Sequence, residues 1–191
     1  MPTTIRDGKG RGYISAVNSD NQLIVRSVAV EERLAATVDE LYYEATTGKI
    51  TLTDANETGL LYIENTENDY SIVIDRVFYD VWESTGSSSG GTLKYYINPT
   101  ITGGTDITPS NTNFGSRREI DCTCKKSLTT ISGTVWWTAY ISPSSSTALE
   151  EGRIVLKNGN SFAISIQAPA GNSNMDVSVN IAMYNFDTDL I

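Results

Sequence analysis

From Leu41 onward the sequence is a succession of short runs of β-branched and aromatic residues, each stopped by a cluster of Gly, Pro, Asn, Asp or Ser. A helix needs apolar residues every three or four positions over several turns. These runs are too short for that, and they alternate at a period of two. Leu41–Ala45 is closed by Thr46-Thr47-Gly48-Lys49, and Ile50–Thr53 by Asp54-Ala55-Asn56-Glu57. Leu60–Asn65 and Tyr70–Val81 follow, and further strands are predicted over 119–123, 133–141, 152–157, 161–167 and 175–186. Short strands joined by turns in this number argue for an all-β chain, a β-sandwich or jelly roll.

Strict alternation within Tyr70–Val81 sets Ile72, Ile74 and Phe78 against Val73, Val77, Tyr79 and Val81. The strand is then apolar on both faces, which suits a sheet covered on both sides or facing a neighbouring subunit. Ser84–Gly91 reads as a flexible loop and, with Thr92–Ile97, as the tip of an outward hairpin. Residues 98–118 are dense in turn formers and read as a long connection, ordered by Ile101, Ile107 and Phe114.

The N-terminal part differs. Gly8, Gly10 and Gly12 alternate with Lys9 and Arg11 and leave no packing face, so residues 1–30 are expected to form an extended arm ahead of a sandwich domain over 31–191. Gln22–Val30 within the arm is a plausible short strand. Leu34, Val38 and Leu41 stand at helical spacing behind Glu31 and Glu32, so at most one short helix is expected, over 31–41. The opening Met1–Gly8 holds no apolar core of a secretory signal, and no stretch reaches the ~20 apolar residues of a membrane span.

Composition bounds the function. Hydrophobic residues are 39% of the 191, enough for a core and too many for a disordered chain. There is no histidine, which removes the commonest general base near neutral pH and the commonest metal ligand. With 14 basic against 23 acidic residues the net charge is −9, so neither nucleic acid nor an anionic membrane is expected as a direct partner. No phosphate loop, dinucleotide fingerprint or nucleophile elbow is present. No catalytic residue, metal or cofactor is therefore expected.

Asp75, Asp80 and Glu83 share one strand, but Asp75 and Glu83 would stand about 26 Å apart by strand rise, too far for a glycosidase pair. Asp54-Ala55-Asn56-Glu57-Thr58-Gly59 alternates oxygen donors as a calcium loop does, without the spacing of an EF-hand, and reads more simply as a turn. Cys122 and Cys124 are two apart on a strand, about 6.5–7 Å between Cα atoms, at the edge of disulfide geometry. They are expected to stay reduced. Trp136 and Trp137 are neighbours on a strand, so one is expected to face inward and the other outward. The outward indole, with Tyr140 nearby, suits a sugar ring or an oligomer interface, and the second is preferred. Arg6, Lys9 and Arg11 in the arm, and Arg117, Arg118, Lys125 and Lys126, are either docking points on an acidic partner or ordinary solvated charges.

Val17-Asn18-Ser19-Asp20-Asn21-Gln22-Leu23, behind the Gly-rich arm, resembles the N-termini of virion-associated proteins of tailed bacteriophages. Tyr96–Asn113, Gly159–Ile166 and the final strand ending Met183-Tyr184-Asn185 resemble segments of the same proteins. The resemblance runs over most of the chain. It implies a structural protein of the virion, a capsid decoration (cement) protein: a β-sandwich, often a homotrimer, whose arm grips the major capsid protein at the capsid surface. It implies no catalytic residues. Arg6, Lys9, Arg11 and Tyr13 would then be the docking arm, and Arg117, Arg118, Lys125, Lys126, Trp136 and Trp137 docking or oligomer contacts. A receptor- or carbohydrate-binding module of a head fibre or tail, and a tail or neck structural protein, are the alternatives.

Overall fold

Alternating burial along strands builds the protein, thirteen of them among the described residues. The computed structural model describes residues 16–17, 23–24, 36–37, 39–52, 56–83, 90–141, 146–149, 154–168 and 175–187. The chain divides into two compact units, Met1–Glu32 and Arg33–Ile191. In the first, β1 (Ala16–Val17) and β2 (Leu23–Ile24) pair antiparallel, with Ala16 opposite Ile24. The strand expected over 22–30 is described only as Leu23–Ile24, and the other arm residues lie outside the described ones. Most of the expected helix does too. Ala36 and Thr37 are helical, and the Leu41 N–H donates to the Ala36 carbonyl at 2.7 Å.

The second unit is a sandwich of antiparallel strands. The larger layer runs β10 (Ser146–Leu149), β6 (Tyr70–Glu83), β13 (Met175–Asp187), β3 (Tyr42–Thr46) and β8 (Ser110–Asn111). β11 (Ile154–Leu156) also pairs with β6, and β4 (Ile50–Leu52) with β13. The other layer is curled into a closed ring of β12 (Ser161–Gln167), β5 (Glu57–Asn65), β9 (Cys122–Ile141) and β7 (Gly91–Asp106).

One core lies between the layers. Ile72, Ile74, Val77, Tyr79, Val177, Val179 and Ile181 come from the larger sheet, and Leu61, Ile63, Leu93, Tyr95, Phe162 and Ile164 from the ring. Each fully buried Ile, Leu or Phe contributes about 1.5–3 kcal/mol. Tyr62, Tyr96, Leu128 and Ala163 form a smaller cluster on the other face of the ring strands. Gly59 lets the ring close. It pairs with Leu128, whose other side pairs with Gly103, and a Cβ on Gly59 would stand 2.6 Å from the Leu128 Cβ. The Leu128 side chain occupies the space that Gly59 leaves, while a Cβ on Gly103 would meet Thr129.

β-Bulges overturn several expectations from strict alternation. In β6, Ala182 faces Arg76 while Met183 faces Ile74, so Asp75 is the extra residue and the parity of the strand switches there. Ile72 and Ile74 therefore share the core with Val77, Tyr79 and Val81, and the opposite face mixes apolar residues with Arg76 and Asp80. The opposite face still carries Val73, Phe78 and Trp82, the last two 37% exposed.

The long connection over 98–118 is also corrected. β7 continues through Asn98-Pro99 to Asp106, with irregular register between Ile97 and Thr100 and again at Thr102/Gly103. Asn98 has φ 45°, and Pro99 sits where the ladder is already interrupted, so its missing N–H costs no hydrogen bond. Of the strand expected over 119–123 only Cys122 and Thr123 are extended, as the start of one β9 reaching Ile141. β6 and β7 belong to different layers, so they do not pair as the expected hairpin, and residues 84–89 lie outside the described ones.

Candidate functional site

β9 holds the feature least like an ordinary surface. No charged residue occurs between Lys126 and Glu150. Residues Cys122–Leu128 pair with β5 and Lys125–Ile141 with β7, so beyond Leu128 the second edge of β9 has no strand partner among the described residues. Along this edge Val135, Trp136, Trp137 and Tyr140 are exposed by 37–63%. An open, uncharged, aromatic edge is a template for contact with another chain, and monomeric proteins usually blunt such edges.

Both tryptophans depart from the expected in-and-out alternation. Tyr95 pairs with Trp137 and Tyr96 with Val135, so Trp136 is the extra residue of a bulge. Trp137 packs edge-on against Tyr95 with ring centroids 4.8 Å apart. Trp136 lines a depression of about 280 Å³ with Ile97, Asn98, Val155, Leu156 and Phe162. Phe162 lies 5.4 Å from Tyr95, so both indoles meet the face that carries these two rings, and neither is buried in the core. The Asn98 carboxamide oxygen accepts the Ser161 N–H at 2.8 Å and holds one wall of the depression.

A second exposed feature lies after β8. Phe114 is 98% exposed at the tip of a loop that is tightly braced. Asn111 Oδ1 accepts the Asn113 N–H at 2.9 Å, and Asn113 Oδ1 the Gly115 N–H at 3.2 Å. Ser116 Oγ donates to Glu40 Oε2 at 2.8 Å and accepts the Arg118 N–H at 3.0 Å. The sequence named Phe114 as an ordering residue of this segment; the structure turns it to solvent.

The charged candidates are distributed differently from the expectation. Lys125 pairs with Asp106 at 2.7 Å, and Lys126 donates to the Thr47 carbonyl at 2.8 Å. The Arg118 guanidinium lies over the Tyr70 ring at 5.6 Å, while Arg117 is exposed. Local partners thus engage three of the four. Arg6, Lys9, Arg11 and Tyr13 lie outside the described residues.

Several carboxylates have internal partners. Asp75 accepts from the Tyr42 hydroxyl at 2.6 Å and from Arg76 Nε at 3.3 Å. Asp176 accepts from Lys49 at 2.6 Å and Thr51 at 2.6 Å; burial alone would raise its pKa, and these bonds outweigh burial and lower it. Glu57, considered above for calcium, accepts from Lys94 at 2.6 Å, from Ser165 at 2.5 Å and from the Tyr96 hydroxyl. Its pKa falls for the same reason, burial being outweighed by the three donors. Asp54 and Ala55 of that loop lie outside the described residues. Cys122 and Cys124 are free thiols; burial, with the charge of Asp121, pushes Cys122 up to about 12.

No family model matches the chain, and no curated protein does. Chains of solved structures do match, 24 in number. One, described as "nora virus structure", is 13% identical, with 96% of this chain and 71% of that chain covered and a TM-score of 0.21. A likeness at that score carries no argument about fold or function.

Proposed function

We propose that the chain is a structural protein of a tailed-phage virion that binds the capsid surface as a decoration protein, acting through contact area and not through catalysis. The open β9 edge carries this reading. It is uncharged from Ser127 to Ile141 in a chain of net charge −9, and it presents Val135, Trp136, Trp137 and Tyr140 to solvent. Backbone groups on such an edge can extend a neighbour's sheet, and the aromatic side chains add apolar area there. The major capsid protein and further copies of this chain are the partners the reading requires, with the basic arm residues Arg6, Lys9 and Arg11 gripping the capsid.

Co-sedimentation of the purified chain with emptied capsids of the parent phage tests it. The wild-type chain is expected to sediment with capsids at a fixed stoichiometry. The variant Arg6→Ala/Lys9→Ala/Arg11→Ala should keep its melting temperature and lose binding. Absence of the chain from purified particles would refute the virion assignment; undiminished binding by the triple variant would refute the role of the arm.

A further inference from the structure

The depression at Trp136 combines one open aromatic ring with polar groups that lack partners. It lies where the two layers of the sandwich part: Trp136, Asn98 and Phe162 line it from the ring, and Val155 and Leu156 of β11 from the larger sheet. The Trp136 indole is 48% exposed, and no other ring packs on it among the described residues. Two carboxamides, Asn98 and Asn160, line the depression and no charged side chain does. We propose that the depression binds one residue of a neutral carbohydrate, its ring against the Trp136 indole and its hydroxyls on Asn98 and Asn160.

A pyranose is amphipathic in the way this lining is. One face carries C–H groups, whose partly positive hydrogens suit the negative face of an indole. The rim carries hydroxyls that donate and accept, and a carboxamide does both. The two amides are placed in advance. Asn98 has φ 45° and its Oδ1 accepts the Ser161 N–H at 2.8 Å, which leaves its Nδ2 without a partner among the described residues. The Asn160 N–H donates to the Lys157 carbonyl at 2.9 Å and its carbonyl accepts the Asn65 N–H at 3.0 Å. Its backbone is thus fixed, while its half-buried carboxamide has no partner among the described residues. Hydroxyls of a sugar supply the missing bonds at little cost in ordering. An apolar occupant would instead cover both carboxamides unpaired. Size agrees: benzene fits a cavity of roughly 150 Å³, and a hexopyranose has about twice its heavy atoms, which matches the 280 Å³ here. Charge selects the class. An uncharged lining gives an acidic sugar no counter-charge, and a chain of net charge −9 repels it. Trp136 is the extra residue of a bulge and stands out of the β9 ladder, so the site needs neither the edge contact nor the capsid proposed above.

Saturation-transfer NMR on the purified full chain tests it. The probes are the methyl glycosides of glucose, galactose, mannose and N-acetylglucosamine, with those of sialic and glucuronic acid as the acidic arm. At least one neutral glycoside should bind, with a Kd on the order of 1 mM for so few atoms, and the acidic ones should not. Trp136→Ala should weaken binding about tenfold or more, as the loss of a stacking ring does. Asn98→Asp keeps the acceptor for the Ser161 N–H and removes the free donor, and Asn160→Asp removes the other; each should weaken binding about fivefold. Melting temperatures check that the variants fold, and the two carboxamide variants carry the test if Trp136→Ala melts early. Phe114→Ala, on the loop after β8 and 98% exposed, should bind as the wild type does. A chain that binds no neutral glycoside, or only acidic ones, would overturn the proposal. So would binding undiminished by Trp136→Ala, or by both carboxamide variants. A wild type that ignores every glycoside, beside a Trp136→Ala chain that loses capsid binding, would give the depression to a protein. Failure of the chain to sediment with capsids, with glycoside binding intact, would leave the site standing and remove only the virion assignment.

Discussion

Tyr79 of the larger sheet meets Tyr95 of the ring edge to face, with centroids 6.3 Å apart, and neither buried hydroxyl has a hydrogen-bond partner in the structure. The two rings pack the middle of the sandwich, where an unpaired hydroxyl costs free energy that a phenyl ring does not. Burial alone pushes the Tyr95 hydroxyl far above its ordinary pKa. Tyr95→Phe should therefore be stabilising, by about 1 kcal/mol, in urea unfolding. A loss of stability would show that the hydroxyl is satisfied.

Asn65 joins the two layers at one end. It is fully buried; its Nδ2 donates to the Leu156 carbonyl at 2.8 Å and the Tyr70 carbonyl at 2.9 Å, and its Oδ1 accepts the Glu67 N–H at 2.8 Å. Asn65→Ala leaves a buried carbonyl unpaired, so a cost of about 2–4 kcal/mol is expected in the same assay. Asn65→Asp should cost at least as much near neutral pH, since a carboxylate cannot donate to either carbonyl.

Gly59→Ala should destabilise by about 1–3 kcal/mol, because the new methyl has to displace the Leu128 side chain from the seam of the ring. The clash is with one side chain, so Leu128→Ala in the same chain should recover part of the loss. A double-variant cycle with strictly additive costs would show that the seam relaxes by backbone movement instead.

Glu57 gives the protein an acid-sensitive component. Its folded pKa lies below the ordinary value of 4.5, since donors from Lys94, Ser165 and Tyr96 outweigh burial. A group depressed on folding stabilises the fold above its unfolded pKa, and this contribution is lost as pH falls from about 4.5 through the folded value. Glu57→Gln should flatten the decline of unfolding free energy in that window. Asp176, also lowered, should leave a residual slope. At the alkaline end the sign reverses. Tyr96 is pushed up to about 12 by burial and by the Glu57 charge, so its contribution is complete below pH 10 and fades as pH rises from 10 toward 12. Tyr96→Phe should flatten that alkaline loss, and Tyr95, also raised, should leave a residual slope.

Period-two alternation identified β3, β4, β5, β6, β12 and β13, because half-buried strands leave that pattern in any stretch of a few residues. It failed wherever a bulge inserts a residue, since Asp75 and Trp136 have nothing in their own neighbourhoods that marks them as extra. Asn98, Pro99, Gly103 and Gly104 were read as turn formers for the same reason. Their backbone preferences suit a turn and an interrupted strand equally, and only pairing with residues 125–134 of β9 decides between the two.

The chain's residues by themselves determined an all-β protein with an apolar core, an acidic surface and an aromatic, uncharged stretch around Trp136. These follow from side-chain chemistry and from preferences that act over a few positions. The tertiary structure alone decided which face each side chain took, that one layer curls into a ring, and that Phe114 turns to solvent. Those outcomes depend on register between strands distant in the chain, and one inserted residue in a ladder reverses every assignment of face beyond it.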